Sequence, residues 1–189
     1  MGLGRSLKVK NGVTNGNFAN GTTGWTASGG STSAANNVLT STGGGTSILP
    51  RVNSATSIPY VQGKKIAVRA TMRVTNASCL NLQMRTLASG MSTQVGILQS
   101  NPAQNTWYSF FVIITLTAGG SGDVSIDLGH LYVDNAAANL KVMEAMEVLV
   151  IDMVESGLSD FTDAQMQATF PEWFNDGFGS NSLSSNLLR

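Results

Sequence analysis

The chain of 189 residues contains a single cysteine, Cys79, and a single histidine, His130. An internal disulfide is therefore impossible, and the clusters of Cys and His that bind zinc cannot form. A Ser/His/Asp set cannot be assembled convincingly around one histidine, and no glycine-rich phosphate loop follows a predicted strand. We therefore expect no enzymatic activity and no catalytic residue, and we expect His130 to be a surface or capped residue.

Long apolar runs are also missing. No stretch approaches the roughly 18 apolar residues of a transmembrane helix, and the first residues lack the apolar core and cleavage site of a signal peptide. We expect neither membrane insertion nor secretion by a signal peptide. Charged residues are only 12% of the chain, whereas Gly, Ser, Thr and Asn crowd its first half. This composition predicts one main all-β domain of short strands joined by turns.

The two halves of the chain carry opposite charge. Nine Lys or Arg residues and no acidic residue precede Asp123, and two basic and eleven acidic residues follow from there. Strands from both halves could alternate in the same sheets, so that the charges cancel within the chain. Alternatively, a bipolar particle could place its basic face against an acidic neighbour in an assembly. We do not expect nucleic acid as a partner, because the basic residues are spread over distant segments.

The segment from Asn15 to Trp25 predicts a tight turn that begins a β-sandwich. Its Asn and Gly residues adopt left-handed backbone conformations at low cost, so the chain can fold back on itself here. Phe18 and Trp25 are large apolar side chains, and we expect them to anchor this turn in the core.

Two alternations of polar and apolar residues predict two consecutive strands. Every second residue between Lys65 and Thr75 is apolar, and the segment from Leu80 to Arg85 repeats the pattern. A period of two is typical of strands with one buried and one solvated face. Together the strands could present these polar side chains on one face: Arg69, Arg73, Asn81, Gln83 and Arg85. That face could bind a ligand through paired hydrogen bonds, or it could be an ordinary solvated face.

The stretch from Thr106 to Leu116 has almost no polar face. Aromatic and β-branched residues in such a run predict a central strand that is covered on both sides. Trp107 and Tyr108 could stack on a sugar ring, but in so apolar a strand we interpret them as core residues.

The C-terminal segment has the pattern of a helix start. Thr162 and Gln165 form a capping box, and Phe161 and Met166 have the spacing of a hydrophobic staple, so a short helix should begin at Asp163. The apolar side chains around it must pack on the sandwich or on a neighbouring subunit. As candidate subunit contacts we take Phe161, Met166, Phe170, Trp173 and Phe174.

Several of these segments resemble known families. The opening Asn-Gly-x-Phe, Gly-rich turn and Gly-Trp-Thr are similar to the start of jelly-roll carbohydrate-binding modules, and the same opening is common in bacteriophage virion proteins. The Ile-Asp strand at Asp152, the capped helix and Phe-Pro-Glu-Trp-Phe resemble the end of phage tail and fibre proteins. Those proteins often carry Gly-Ala-Gly-Asn-Glu-Pro where this chain has Glu155 to Asp160.

The resemblance implies a jelly-roll β-sandwich with a short C-terminal helix. The expected division is an N-terminal arm or edge strand at 1–13, the jelly-roll domain at 14–156, the capped helix with an aromatic turn at 157–177, and a flexible tail at 178–189. Related modules bind sugars on a concave sheet face, which makes the five polar side chains above candidate glycan ligands.

The resemblance also implies a possible cofactor. Several related modules hold a structural calcium ion between the opening and closing strands, and oxygen ligands suit that ion. Asn15, Asn17 and Asp152 match those positions, although Ala19 stands where an acidic residue often follows the Phe.

The function implied by the resemblance is a structural component of a bacteriophage virion. We expect a chain displayed on the tail, baseplate, fibre or capsid, located in the virion and adhering to host cell-surface polysaccharides. Its expected partners are other virion proteins and further copies of itself, as a trimer or a symmetric array. The alternatives are a decoration or assembly protein without a ligand, and a stand-alone glycan-binding module.

Overall fold

The computed structural model describes residues 7–169 and 182–185, and most of its regular structure is β-strand. The strands are β1 (Leu7–Lys10), β2 (Thr26–Ser28), β3 (Gly30–Ala35), β4 (Val38–Gly43), β5 (Arg51–Pro59), β6 (Lys65–Val74), β7 (Asn81–Ser89), β8 (Gln94–Ser100), β9 (Tyr108–Thr115), β10 (Ser121–Leu131), β11 (Val142–Asp152) and β12 (Ser182–Ser185). The helices are α1 (Asn135–Ala138) and α2 (Asp163–Thr169). No helix of the described part is long and apolar enough to cross a membrane.

The strands form two five-stranded antiparallel sheets that face each other. Sheet A has the order β2-β5-β10-β7-β8, and sheet B has the order β3-β4-β11-β6-β9. Strands β1 and β12 form a separate pair, so four residues of the expected C-terminal tail are a strand that pairs with the N-terminal arm. The architecture is a jelly-roll β-sandwich with a short C-terminal helix, which confirms the predicted fold class.

The main core lies between the two sheets. It is formed by the apolar residues that occupy every second position of the strands. Leu82 and Met84 of β7 alternate with polar neighbours and are at most 1% exposed, as are Ile66 and Val68 of β6. Burying one such side chain stabilises the fold by roughly 1.5–3 kcal/mol. The apolar alternation that predicted β6 and β7 is therefore the pattern that closes the sandwich.

The opening turn is anchored as its sequence predicts. Phe18 and Trp25 are 2% and 3% exposed, and their rings meet edge to face with centroids 5.3 Å apart. Asn15 has a φ of 54°, and its side-chain Nδ2 donates to the carbonyl oxygens of Gly21 at 2.8 Å and Thr23 at 3.3 Å. An asparagine thus holds both ends of the turn together.

The closing strand β11 changes its neighbour halfway along. Its first residues pair with β4 as far as Ala145, and a register shift follows, with a φ of 56° at Glu147. Beyond this bulge the opening segment replaces β4: the N–H of Val148 donates to Gly16 at 2.9 Å, and the N–H of Gly12 donates to Val150 at 2.6 Å. The first and last parts of the domain are therefore joined directly.

A second apolar cluster covers part of the outer face of sheet B. Its buried members are Val9, Ala67, Leu149, Ile151, Met153, Leu158 and Met166. Helix α2 supplies Met166 and begins at Asp163, as predicted. The capping box is present, because the N–H of Thr162 donates to Gln165 Oε1 at 2.8 Å and the N–H of Gln165 donates to Thr162 Oγ1 at 3.3 Å. The helix therefore packs on the sandwich of its own chain.

The prediction of a central strand at Thr106 to Leu116 is wrong. Strand β9 lies at the edge of sheet B and pairs with β6 alone among the described strands. Its apolar residues on one side face the core, whereas Phe111 and Ile113 on the other side pack against the second cluster. The strand is therefore apolar on both sides because helix α2 and the second cluster cover its outer side, although it has one strand neighbour.

The opposite charges of the two halves meet within the chain. The ion pairs of the described residues are Arg51–Asp127, Lys64–Asp152, Arg69–Glu147, Arg73–Glu144 and Arg85–Asp127. Each one joins a base from before residue 123 to an acid from the later half. This is the outcome expected when early and late strands alternate in the same sheets.

Candidate functional site

The five polar side chains that we expected on one face lie on two different sheets. Arg69 and Arg73 belong to β6 of sheet B, whereas Asn81, Gln83 and Arg85 belong to β7 of sheet A. Two strands that are consecutive in sequence are here on opposite sides of the sandwich, so a shared face is excluded. The prediction of a single five-residue face is wrong, and each group must be assessed in its own sheet.

The β7 group lies on the outer face of sheet A and meets polar residues from two neighbouring strands. Asp127 of β10 is opposite Arg85 of β7 and opposite Asn53 of β5. Asn53 Nδ2 donates to Asp127 Oδ1 at 2.6 Å, and Asp127 Oδ2 lies 3.0 Å from Arg51 Nε and 3.7 Å from Arg85 Nη1. We call these four residues, Arg51, Asn53, Arg85 and Asp127, the Asp127 cluster.

The carboxylate of the Asp127 cluster is enclosed by its partners. Asp127 is only 3% exposed although it points to the outside of the sheet, whereas the side chains of Arg51 and Arg85 are 27% and 19% exposed. Neighbouring opposite charges and the amide of Asn53 compensate the burial of the carboxylate. The cluster is a rigid polar centre whose solvent-facing groups are guanidinium groups.

Amide and apolar groups surround the Asp127 cluster. Gln83 is opposite Gly129 on the β10 side and next to Ile97 of β8, and Arg85 is next to Val95. Val95 and Ile97 are 57% and 60% exposed, and the five strands of sheet A contain no Phe, Tyr or Trp. The face can therefore hydrogen-bond hydroxyl groups beside a small apolar strip, without an aromatic platform for stacking.

Of the four residues of the Asp127 cluster, the sequence predicted Arg85 alone as a site residue. Arg51 and Asn53 lie between Pro50 and Pro59, and proline is usually confined to edges and loops, yet the segment forms the nine-residue strand β5. Its alternation of buried Val52, Ser54, Thr56 and Ile58 with outward positions was weak, because two of the buried residues are polar. Asp127 alternates clearly with apolar neighbours, but only the sheet order places it beside Arg85.

The β6 group is bound by acidic residues of β11. Arg69 is 2% exposed, and its Nη1 lies 3.0 Å from Glu147 Oε2. Arg73 pairs with Glu144 and stacks on the ring of Trp107, with 4.5 Å from the guanidinium carbon to the ring centroid. Burial closes Arg69 to a ligand, and Arg73 stays outside the sheet A face, so neither joins the Asp127 cluster.

The residues that resemblance suggested for calcium do not fit that ion. The side chain of Asn15 is used in the opening turn, and Asn17 Oδ1 accepts from Ala19 at 3.4 Å. Asp152 Oδ2 lies 2.6 Å from Lys64 Nζ, while its Oδ1 accepts from two backbone N–H groups at 3.0 Å. The ammonium group of Lys64 thus already balances the charge of Asp152, which a calcium ion would otherwise do. The described residues contain no group of three or more His, Cys, Asp or Glu suited to a metal.

The candidate subunit contacts divide into two groups. Phe161 packs against the second cluster and Met166 is 0% exposed in it, so both contact their own chain. Phe170, Trp173 and Phe174 lie outside the described residues.

His130 is a core residue, whereas we expected a surface or capped residue. It is 0% exposed, and its Nδ1 lies 3.1 Å from the hydroxyl of Tyr132. Burial lowers the pKa of His130 to about 3, and it raises the pKa of the Cys79 thiol, which interacts with Tyr132, to about 11. A neutral, enclosed imidazole and a buried, protonated thiol indicate packing in the core.

Solved structures share this fold, while no protein-family model and no curated protein matches the sequence. A family 16 carbohydrate-binding module superposes with a TM-score of 0.52 at 14% identity, over 74% of this chain and 99% of the module.

Two larger proteins contain a similar domain. The enzymatically active domain of bacteriophage CBA120 tailspike protein 4 has a TM-score of 0.52 at 12% identity, over 74% of this chain. The arabinose-bound MgGH51 α-L-arabinofuranosidase has a TM-score of 0.54 at 12% identity, over 79%. This chain spans only 21% and 27% of those two chains. At such identities the likeness is one of fold.

Proposed function

We propose that this chain is a non-catalytic carbohydrate-binding module that contacts glycans through the outer face of sheet A. The observation that carries the proposal is the Asp127 cluster, which holds two guanidinium groups at a partly exposed position beside Gln83. The similarity in fold to a carbohydrate-binding module supports this choice of ligand class. The outer face of sheet B is a weaker candidate, because the second cluster covers part of it.

The proposed mode of binding is hydrogen bonding without stacking. Arg51 and Arg85, whose side chains are 27% and 19% exposed, donate to sugar hydroxyl oxygens, whereas Gln83 is only 7% exposed and is closed to a sugar. Stacking of a nucleic-acid base on an aromatic side chain is worth about 1–3 kcal/mol, and the strands of sheet A lack an aromatic residue that could make a comparable contact with a sugar ring. We therefore expect weak binding by one copy, and useful adhesion only when many copies act together.

This requirement for many copies favours display on a virion. We propose that the chain is a structural component of a bacteriophage particle, located on the tail, baseplate, fibre or capsid, where it assembles with other virion proteins and further copies of itself. The domain that a phage tailspike chain shares with it supports this proposal. Mass spectrometry of purified particles and the mass of the chain in solution test the location and the assembly.

A binding screen with variants tests the glycan proposal. Purified protein is titrated against immobilised host cell-wall polysaccharides, and positive cases are repeated with Arg85→Ala, Arg51→Ala and the control Arg73→Ala. We expect loss of about tenfold or more in affinity for the first two, because each removes a hydrogen bond of about 1.5 kcal/mol. The control changes an arginine of sheet B and should bind as the unchanged protein does. Equal loss in all three variants, or none in any, would overturn the assignment to sheet A.

A further inference from the structure

The Asp127 cluster has an imbalance between hydrogen-bond donors and acceptors. Asp127 is the acceptor at its centre, and its two oxygens face Asn53 at 2.6 Å and Arg51 at 3.0 Å. The carboxylate is 3% exposed, so it is closed to hydroxyl donors from a ligand. The strongest acceptor on this face is therefore already used by the chain itself.

The donors, in contrast, remain available. A guanidinium group carries five N–H donors. Arg51 approaches Asp127 through Nε, and Arg85 approaches it at 3.7 Å through Nη1. Neither guanidinium has a further hydrogen bond or ion pair within residues 7–169 and 182–185. Both side chains are partly exposed, at 27% and 19%, so N–H groups that Asp127 does not use can serve an acceptor from solution.

The net charge of the Asp127 cluster is positive, so it favours the same kind of ligand as the excess of hydrogen-bond donors does. Two guanidinium groups face one carboxylate, which leaves one net positive charge at the centre of the face. The other acidic residue on the strands of sheet A is Asp123 at the start of β10. It lies four residues along the strand from Asp127, or about 13 Å at the usual rise per residue. No described carboxylate on this sheet cancels the remaining charge locally.

We propose that the outer face of sheet A selects negatively charged sugars, whose carboxylate or phosphate group binds Arg51 and Arg85. The proposal rests on the proposed function and specifies the substrate class of the same site. An anionic oxygen can receive donors from both guanidinium groups, and charge-assisted bonds of this kind are about twice as strong as neutral ones. Val95, directly beside Arg85 and exposed, would contact the apolar face of the sugar ring.

Matched pairs of polymers separate charge from sugar recognition. We would titrate polygalacturonate fragments against their carboxyl-reduced counterparts, and phosphomannan against dephosphorylated mannan, by calorimetry at low and at high salt. We expect the anionic member of a pair to bind about tenfold more tightly at low salt, with the advantage reduced at high salt because partly exposed charges are screened. The two pairs distinguish a carboxylate from a phosphate as the group recognised.

Variants then locate the preference on the protein. Arg51→Gln and Arg85→Gln should each remove most of the advantage of the anionic polymer, whereas Arg73→Gln makes the same change of charge on sheet B and should retain it. The melting temperature of each variant shows whether it is folded. The comparison of paired polymers uses the unchanged protein, so it stands even if a variant fails to fold.

The outcomes distinguish this inference from the proposal on which it rests. If neutral polymers bind as tightly as the anionic ones and Arg85→Ala weakens both, glycan binding stands and the preference for charge is wrong. If the folded protein binds neither member of either pair, and no polysaccharide of the wider screen, the proposed function fails as well. If Arg73→Gln abolishes the preference, the site is on the other sheet.

Discussion

The side chain of Asn11 hydrogen-bonds the backbone of Val150, 139 residues later in the chain. Its Oδ1 accepts from the N–H of Val150 at 2.9 Å, and its Nδ2 donates to the carbonyl of Val148 at 2.8 Å. Beyond the bulge β4 no longer pairs with β11, and the side-chain amide of Asn11 supplies the hydrogen bonds that a neighbouring strand would otherwise make. Asn11 is only 7% exposed, so water cannot easily substitute for it.

The substitution Asn11→Ala should therefore lower the free energy of unfolding by about 2 kcal/mol or more, because it leaves a buried N–H and a buried carbonyl without their partner. Urea denaturation measures this loss. The control is Asn20→Ala in the exposed part of the opening turn, which should change the stability by less than about 0.5 kcal/mol. A loss at Asn11 no larger than that of the control would contradict the role of this side chain.

Calcium should have no effect on stability. Lys64 compensates the charge of Asp152 at 2.6 Å, and the side chain of Asn15 is already hydrogen-bonded within the opening turn. We expect the same melting temperature with a chelator and with added calcium. In contrast, Lys64→Met should lower the free energy of unfolding by about 3 kcal/mol, since removal of one partner leaves a buried charge uncompensated. A rise in melting temperature with calcium would show that an ion competes with Lys64.

Periodicity predicted the strands well but could not predict their neighbours. The segment from Lys65 to Thr75 is a strand from Lys65 to Val74, with the expected residues facing the core. Its outer face is also largely buried, because Ala67 belongs to the second cluster, to which α2 and β1 contribute, and because Glu147 reaches Arg69. These covering segments are far away in sequence, so Arg69 has the pattern of a solvated residue and the environment of a core residue.

In the candidate site, too, the sequence predicted the direction of the side chains but not the strands beside them. The outward direction of Gln83 and Arg85 follows from alternation with Leu82 and Met84, and this part of the prediction agrees with the structure. Their real strand neighbours are β10 and β8, with β5 beyond β10, whereas the sequence suggested β6. Pairing between distant strands depends on the whole order of the sheet, which no local pattern contains.

Cys79 should be unreactive in the folded protein. The thiol is buried, and burial raises its pKa to about 11, so the thiolate is scarce near neutral pH. Because the chain has one cysteine, a thiol reagent reports on this residue alone. We expect slow reaction in the folded state and one rapid equivalent in denaturant. Rapid modification of the folded protein would contradict the buried position.

His130 should make the fold sensitive to mild acid. Burial lowers its pKa from the ordinary 6.5 to about 3, so below about pH 6.5 the unfolded chain binds a proton that the folded chain does not. The contribution of neutral His130 to the free energy of unfolding is then fully present above that pH. It is lost as the pH falls towards 3, by at most about 1.4 kcal/mol per pH unit.

Urea denaturation between about pH 6.5 and 5 measures the His130 effect before most carboxylates titrate. The variant His130→Gln carries no titrating ring and should have a flatter profile in this window, whatever its absolute stability. An equally steep loss in the variant would assign the acid sensitivity to other groups.

Helix α2 should stabilise its own chain rather than join two chains. Met166 is 0% exposed in the second cluster, which also contains Val9 of β1. Met166→Ala should lower the free energy of unfolding by about 2 kcal/mol and accelerate hydrogen exchange in both α2 and β1, because the cavity loosens the shared cluster. Met146→Ala, the same change at a half-buried position of β11, should have a smaller effect. If Met166→Ala instead changes the mass in solution and leaves stability intact, the helix is a subunit contact.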